Sequence, residues 1–202
     1  MARPATDIRP RLIAAARQHF LAQGVDGASL RGIARDAQTN IGMIHYYFRT
    51  KDELFFAVVE EVYGVLLADL REALDPGQPP EERLRQLYLR LARASELEMQ
   101  TVRLVLLEAI RSSDRLKRIV ERFRDGHLPL LLRTIIDGVS EGRFNAHHHP
   151  ALLMLVAMGG GAVPQLLRRG LGDQPELDGL PRGEELAEEL LKLVLSGIGR
   201  GP

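Results

Sequence analysis

Apolar residues recur along most of the chain at spacings of three and four, the pattern of helices that bury one face. Leu12, Ile13, Ala16 and Phe20 form the first stripe. It predicts a helix from about Ile8 to Gln23, with Asp7 as N-cap and Pro10 in the first turn, where a missing N–H costs little. Gly24 stops this helix, and Val25-Asp26-Gly27 reads as a turn. Ser29 then caps a short helix through Leu30, Ile33, Ala34 and Ala37. After a break at Gln38-Thr39, Asn40 caps a third helix from Ile41 to Phe48. Thr50-Lys51-Asp52-Glu53 fits a capping box, in which hydroxyl and carboxylate satisfy the first N–H groups of the next helix. That fourth helix, residues 51–75, carries Leu54, Phe55, Val58, Val59, Val62, Leu66 and Leu70. At ~1.5 Å per residue it spans roughly 35 Å, enough to connect two bodies.

Asp75-Pro76-Gly77-Gln78-Pro79-Pro80 is the clearest boundary in the chain, and Pro80-Glu81-Glu82 opens a new helix with acids at its positive end. Further helices are expected at about 81–97, 99–111, 114–139, 150–169 and 183–198. Ser113 is read as a cap, Pro129 as a bend, Glu141-Gly142-Arg143-Phe144 as a stop and 171–182 as a loop. No period-2 alternation is sustained anywhere, and no Asn-Gly or Asp-Gly pair joins two β-branched runs. The expected fold is all-α: a three-helix head over residues 1–50, joined by the long fourth helix to a helical body within 51–202.

Composition narrows the chemistry. The 202 residues contain no cysteine, which excludes disulfides, cysteine-ligated zinc and thiol catalysis. Charge is balanced overall but not along the chain. Arg3, Arg9, Arg11, Arg17, Arg31, Arg35, Arg49 and Lys51 face only Asp7, Asp26 and Asp36, so residues 1–51 carry +5 and the remainder −5. A basic head on an acidic body suits a polyanion binder that touches its target at one end. The first residues lack the apolar core of a signal peptide, and the apolar stretch Ala151 to Val163 is too short to span a bilayer. A soluble, cytoplasmic protein with no membrane partner is expected. No P-loop, Gly-x-Ser-x-Gly, His-Glu-x-x-His or strand-borne Gly-x-Gly-x-x-Gly occurs, so neither an enzyme nor a cofactor is expected.

Short helices joined by a tight turn are the parts of a helix-turn-helix, whose last helix enters the major groove. The stretch Ser29-Leu30-Arg31-Gly32-Ile33-Ala34-Arg35-Asp36-Ala37, followed by Ile41-Gly42-Met43-Ile44-His45-Tyr46-Tyr47-Phe48 and Lys51-Asp52-Glu53-Leu54, closely resembles the signature of the TetR (tetracycline-repressor-like) family. The match covers about residues 8–56. The resemblance implies two-fold dimers on palindromic operators, usually repressing and usually released by a small ligand. It places Ser29 at phosphate and Asn40, Ile41, Gly42 and Met43 at base edges, with Arg31 and Thr39 also counted among the DNA-binding residues. His45, Tyr46, Tyr47 and Lys51 fall at the backbone, whereas Phe48 reads as core. The sequence departs from the family pattern at Gln38-Thr39, where Gly-Val is common, and at His45, where Tyr is frequent.

The body carries no comparable motif. The resemblance implies a ligand pocket there and a dimer interface from the last two long helices. Leu186, Leu190, Leu193, Val194 and Ile198 form a broad apolar stripe suited to that interface. Met99, Arg103, Leu107, Phe123, His127, Leu131, Met154 and Met158 are the candidates for an effector pocket, which their composition makes lipophilic. Gly159-Gly160-Gly161 allow either close helix approach or room for a ligand, and Pro164 predicts a kink or break. His147-His148-His149 lacks metal-ligand spacing and reads as a solvated loop. The reading is a dimeric, ligand-responsive transcriptional repressor with double-stranded DNA as partner. The alternative is a small-molecule-binding helical protein without specific DNA readout.

Overall fold

The computed structural model describes residues 8–172 and 174–198. Ten α-helices, and no β-strand, occur among the described residues: α1 (Ile8–Gly27), α2 (Leu30–Asp36), α3 (Ile41–Tyr47), α4 (Lys51–Ala73), α5 (Pro80–Ala92), α6 (Glu96–Arg111), α7 (Ser113–Arg122), α8 (His127–Ser140), α9 (Pro150–Leu171) and α10 (Gly183–Ile198). The all-α expectation holds. Asp7, the expected cap of α1, lies outside the described residues, as does the side chain of Ile198. Gly24 interrupts α1 as expected, at φ 74° and ψ 168°.

Two compact units emerge. The first contains the chain up to Val65 together with Glu96–Ile119; the second contains Leu66–Ser95 and the chain from Val120 onward. In the first, Leu12, Ile13, Ala16 and Phe20 of α1 are buried with Ile33 of α2, Ile44 of α3 and Leu54, Phe55 and Val58 of α4. The Phe20 and Phe55 rings meet edge-on with centroids 6.4 Å apart. Each of the Leu, Ile, Val and Phe side chains contributes about 1.5–3 kcal/mol relative to exposure. Arg17, itself buried, reaches from α1 to Glu61 of α4.

In the second unit, Leu66, Leu70 and Leu74 pack with Leu84 and Tyr88 of α5, Leu131 and Ile135 of α8, Leu153 and Ala157 of α9, and Leu191 of α10. The Pro/Gly-rich boundary is pinned rather than loose. Arg83 donates to the carbonyls of Pro76 and Gln78, each at 2.7 Å, and to Asp137 at 2.6 Å.

Four local expectations are corrected. The helix expected over 81–97 ends at Ala92, where the Arg93 N–H bonds back to Leu89 and Leu91. The single bent helix over 114–139 is two helices, α7 and α8. Gly126 leaves helical geometry (φ −104°, ψ −133°), and Pro129 falls in the first turn of α8, where it needs no donor. The cap of α7 is Ser112 instead of Ser113, its Oγ accepting the Arg115 N–H at 3.2 Å. Finally, α9 runs through Pro164 without a break and so reaches 22 residues. By length and composition alone α9 could cross a membrane, because the apolar run continues past the glycines.

Candidate nucleic-acid interface

Helices α2, α3 and α4 of the head each start at a side-chain cap. Ser29 is extended (φ −88°, ψ 118°), and its Oγ accepts the Gly32 N–H at 3.3 Å to cap α2. Asn40 does the same for α3, its Oδ1 accepting the Met43 N–H at 3.2 Å. Between them the Gln38 N–H bonds the Arg35 carbonyl and the Thr39 N–H bonds the Ala34 carbonyl, both at 2.9 Å. This is a Schellman closure, whose left-handed position is usually glycine. Here Gln38 holds it at φ 53°. Thus the departure at Gln38 leaves the turn in place and puts the cost into the backbone.

Two glycines have local reasons. A Cβ on Gly32 would press on the His19 ring, whose Nε2 lies 2.7 Å from Asp36. One on Gly42 would sit 3.0 Å from Asn40 Oδ1, crowding the cap of α3. Gly42 therefore serves the cap and also keeps the exposed end of α3 low.

Arg31, Asn40, Ile41, Gly42, His45 and Tyr46 are exposed; Thr39, Met43, Tyr47 and Lys51 are half-buried. Tyr46 projects with 77% exposure, its ring edge-on to Tyr47 at 5.0 Å. Ile44 and Phe48 point inward, as expected for Phe48. Lys51 is engaged within the head, its Nζ donating to the Asp26 carbonyl at 2.9 Å. Thr50 Oγ1 accepts the Glu53 N–H at 3.1 Å, while the Glu53 carboxylate accepts the N–H of Arg49 and not that of Thr50.

One cluster escaped the sequence reading. Glu108 on α6 is wholly buried and accepts the Val25 N–H at 3.1 Å. Its other oxygen accepts from Arg115 on α7, which also donates to Asp26 and to Asp52. Arg118 joins through Asp52 and lies over the Phe56 ring, 5.0 Å from its centroid. Burial alone would lower the Arg115 pKa, but the hydrogen bonds it donates to Asp26 and Asp52 outweigh it and hold the guanidinium firmly charged. The same bond to Arg115 is the main force holding the Asp26 carboxyl below its ordinary range. The signal for this cluster was spacing: Leu104–Glu108 and Arg115–Ile119, both i,i+4, set each charge on the buried stripe of its helix.

The body candidates are distributed. Met99 is buried, Leu107 half-buried and Arg103 exposed, all in the first unit. In the second unit Leu131 belongs to the core, with Met154 and Met158 packed against it. The Phe123 and His127 rings lie 5.7 Å apart, and burial pushes the His127 pKa down to about 4, so its imidazole is neutral at pH 7. Of the interface residues, Leu186 is buried within its own unit, Leu190 and Val194 are half-buried and Leu193 is 68% exposed. Beside them α9 exposes Leu152, Leu155, Val156 and Leu167, and an apolar groove lined by Leu152, Val156, Leu193 and His148 runs between α9 and α10. His149 Nδ1 accepts the Ala151 N–H at 3.2 Å, capping α9.

A capped helix-turn-helix with an exposed recognition helix defines a DNA-binding head. Residues 12–58 match the family model of the bacterial regulatory proteins, tetR family. The chain is 34% identical over 87 residues, 43% of its length, to the transcriptional repressor NicS of Pseudomonas putida. It is 36% identical over 72 residues, 36% of its length, to the nicotine-responsive repressor HdnoR of Paenarthrobacter nicotinovorans. Those matches span 41% and 37% of the relatives' own lengths, less than half of each. The fold extends further. The ketosteroid transcriptional regulator KstR2 of Mycobacterium tuberculosis superposes over 99% of both chains with a TM-score of 0.71, at 22% identity.

Proposed function

We propose that this protein is a transcriptional repressor that grips a palindromic operator as a homodimer and is modulated by a small lipophilic ligand. The observation that carries this reading is the N-terminal end of α3. Asn40, Ile41 and Gly42 are exposed there, within the part of the chain whose net charge is +5. Short residues at that end let the helix seat deeply enough to reach base edges, while Arg31, His45 and Tyr46 lie where phosphates would pass.

The proposed dimer face is formed by α9 and α10. The buried side of α9 is Leu153, Ala157, Gly161, Gln165 and Arg168; its opposite side carries the exposed leucines and valines. An apolar surface of this kind beside Leu193 calls for cover, and a second copy related by a two-fold axis supplies a matching one. Two heads so related would read major-groove faces ~34–36 Å apart, or a multiple of this. The ligand would act by its differential affinity for two head arrangements, reached through a tilt of α4; a coupling of ~1–3 kcal/mol is typical. Repression of this kind belongs in the cytoplasm.

The direct test is selection of duplexes from a random-sequence library by the full chain, followed by footprinting of the recovered DNA. The expected result is a protected palindrome. Equal, weak affinity for every duplex at moderate salt would overturn the reading.

A further inference from the structure

The charged cluster at Glu108 and Arg115 sits at neither the DNA face nor the apolar face, yet both of these side chains are buried. Its members come from four segments. Asp26 lies in the last turn of α1, past the kink at Gly24 and just before α2; Asp52 is in the first turn of α4, Glu108 is on α6, and Arg115 is on α7. Arg115 spends four hydrogen bonds here: two on Asp26, one on Asp52 at 3.1 Å and one on Glu108. The backbone is tied in as well, through the Val25 N–H to Glu108 and the Asp26 carbonyl to Lys51. Gly24 has its left-handed geometry at this point, where a Cβ would overlap the Arg111 guanidinium, itself paired with Glu108. Chain geometry and charge therefore converge on the turn that aims the helix-turn-helix.

We propose that Arg115 is the positioning residue of the DNA-binding head: its guanidinium forks between Asp26, Asp52 and Glu108 and so fixes the orientation of α2 and α3 against α6 and α7. The inference rests on the DNA-binding reading above. It goes beyond it by assigning the aim of the head to a residue on α7, remote in sequence from the helix-turn-helix, and by making α6 and the start of α7 part of the body that moves with the head. A guanidinium suits the task because its planar fork engages several carboxylates at once in fixed directions, which an ammonium cannot do.

The deciding variant is Asp26→Asn. The Asp26 side chain is 80% exposed, so its replacement leaves the core intact. Simple electrostatics expects tighter DNA binding when an acid is removed from a basic head. Positioning expects the reverse. We expect the full-length variant to bind the selected duplex at least threefold more weakly than the parent, with an unchanged salt slope. Glu108→Leu/Arg115→Met removes the buried pair without leaving a lone charge. It should unfold cooperatively, bind the duplex at least tenfold more weakly and exchange the Val25 amide proton at least tenfold faster. Arg115→Lys should fold like the parent yet bind the duplex more weakly than it, because an ammonium keeps the charge but not the fork. As a control, Arg83→Met/Asp137→Leu removes an ion pair of the second unit and should leave affinity unchanged. Wild-type affinity and Val25 protection in the Glu108/Arg115 pair variant, or tighter binding by Asp26→Asn, would overturn the proposal. If the parent selects no duplex, the DNA-binding reading fails separately. Val25 exchange then still reports whether Arg115 holds the turn.

Discussion

The Tyr88 hydroxyl donates to the carbonyl of Ala157 at 2.8 Å, joining α5 to α9 where α9 carries its three glycines. The Tyr88 ring and hydroxyl occupy the space that side chains at Gly160 and Gly161 would need, whereas nothing lies within 4 Å of a Cβ on Gly159. Close helix approach inside the subunit, not a ligand cavity, explains two of the three. Gly160→Ala and Gly161→Ala should each destabilise by about 1–3 kcal/mol through overpacking. Gly159→Ala should stabilise by up to about 1 kcal/mol through helix propensity. Denaturant titration separates the signs; a cost at all three positions would defeat this account.

Gln38 holds a left-handed backbone conformation at φ 53° that glycine adopts without strain. Gln38→Gly should raise stability by up to about 1 kcal/mol, and Gln38→Val should lower it by at least as much. Thermal unfolding reads both directly. A loss on Gln38→Gly would show that the side chain, and not the backbone, matters at this turn.

Tyr46 and Met43 separate affinity from specificity. Tyr46 is 77% exposed, so Tyr46→Ala should change stability by less than about 0.5 kcal/mol. It should nonetheless weaken binding to all duplexes, as expected for a phosphate-side contact. Met43 substitutions should instead alter which sequence is selected. Repeating the duplex selection with each variant measures the difference.

Leu193 tests the apolar face. It is 68% exposed in the single chain, so Leu193→Glu should leave the subunit folded. In a dimer built on α9 and α10 it would bury an unpaired carboxylate. Sedimentation should show a monomer for the variant and a dimer for the parent. Identical sedimentation would move the interface elsewhere.

His127 sets a pH dependence. Its folded pKa of about 4 lies below the ordinary histidine value of 6.5, so the unfolded chain binds more protons between these values. Stability is therefore full above pH 6.5 and declines as pH falls towards 4, at up to about 1.4 kcal/mol per pH unit. His127→Phe should flatten this part of the profile. A parent whose stability is level from pH 6.5 to 4.5 would contradict a buried neutral imidazole.

Local signals were legible where they act locally. The caps Ser29, Asn40 and Thr50 sit where their side chains reach the N–H three residues on, and each does so in the folded chain. The exposed end of α3 was legible for the same reason, since a seven-residue helix with one buried face leaves little choice for the rest. Pro129 misled because proline reads alike as a bend inside one helix and as an opening residue of the next. Only the non-helical Gly126 decides between them. For Leu186 an apolar stripe does not say whether its cover is the same subunit or another; in the single chain it is already buried.

The sequence by itself determined the all-helical content, the placing of the head and its capped turns, and the basic charge gathered there, because each depends on residues within a turn or two of one another. The tertiary structure alone decided the inward role of Gly160 and Gly161, the pinning of the 75–80 boundary by Arg83, and the burial of Glu108 and Arg115. The contacts that fix the last of these join residues 83 and 89 positions apart. No local periodicity encodes such a pairing. It exists only once packing has brought a charge on one helix into the low-dielectric space beside its partner on another.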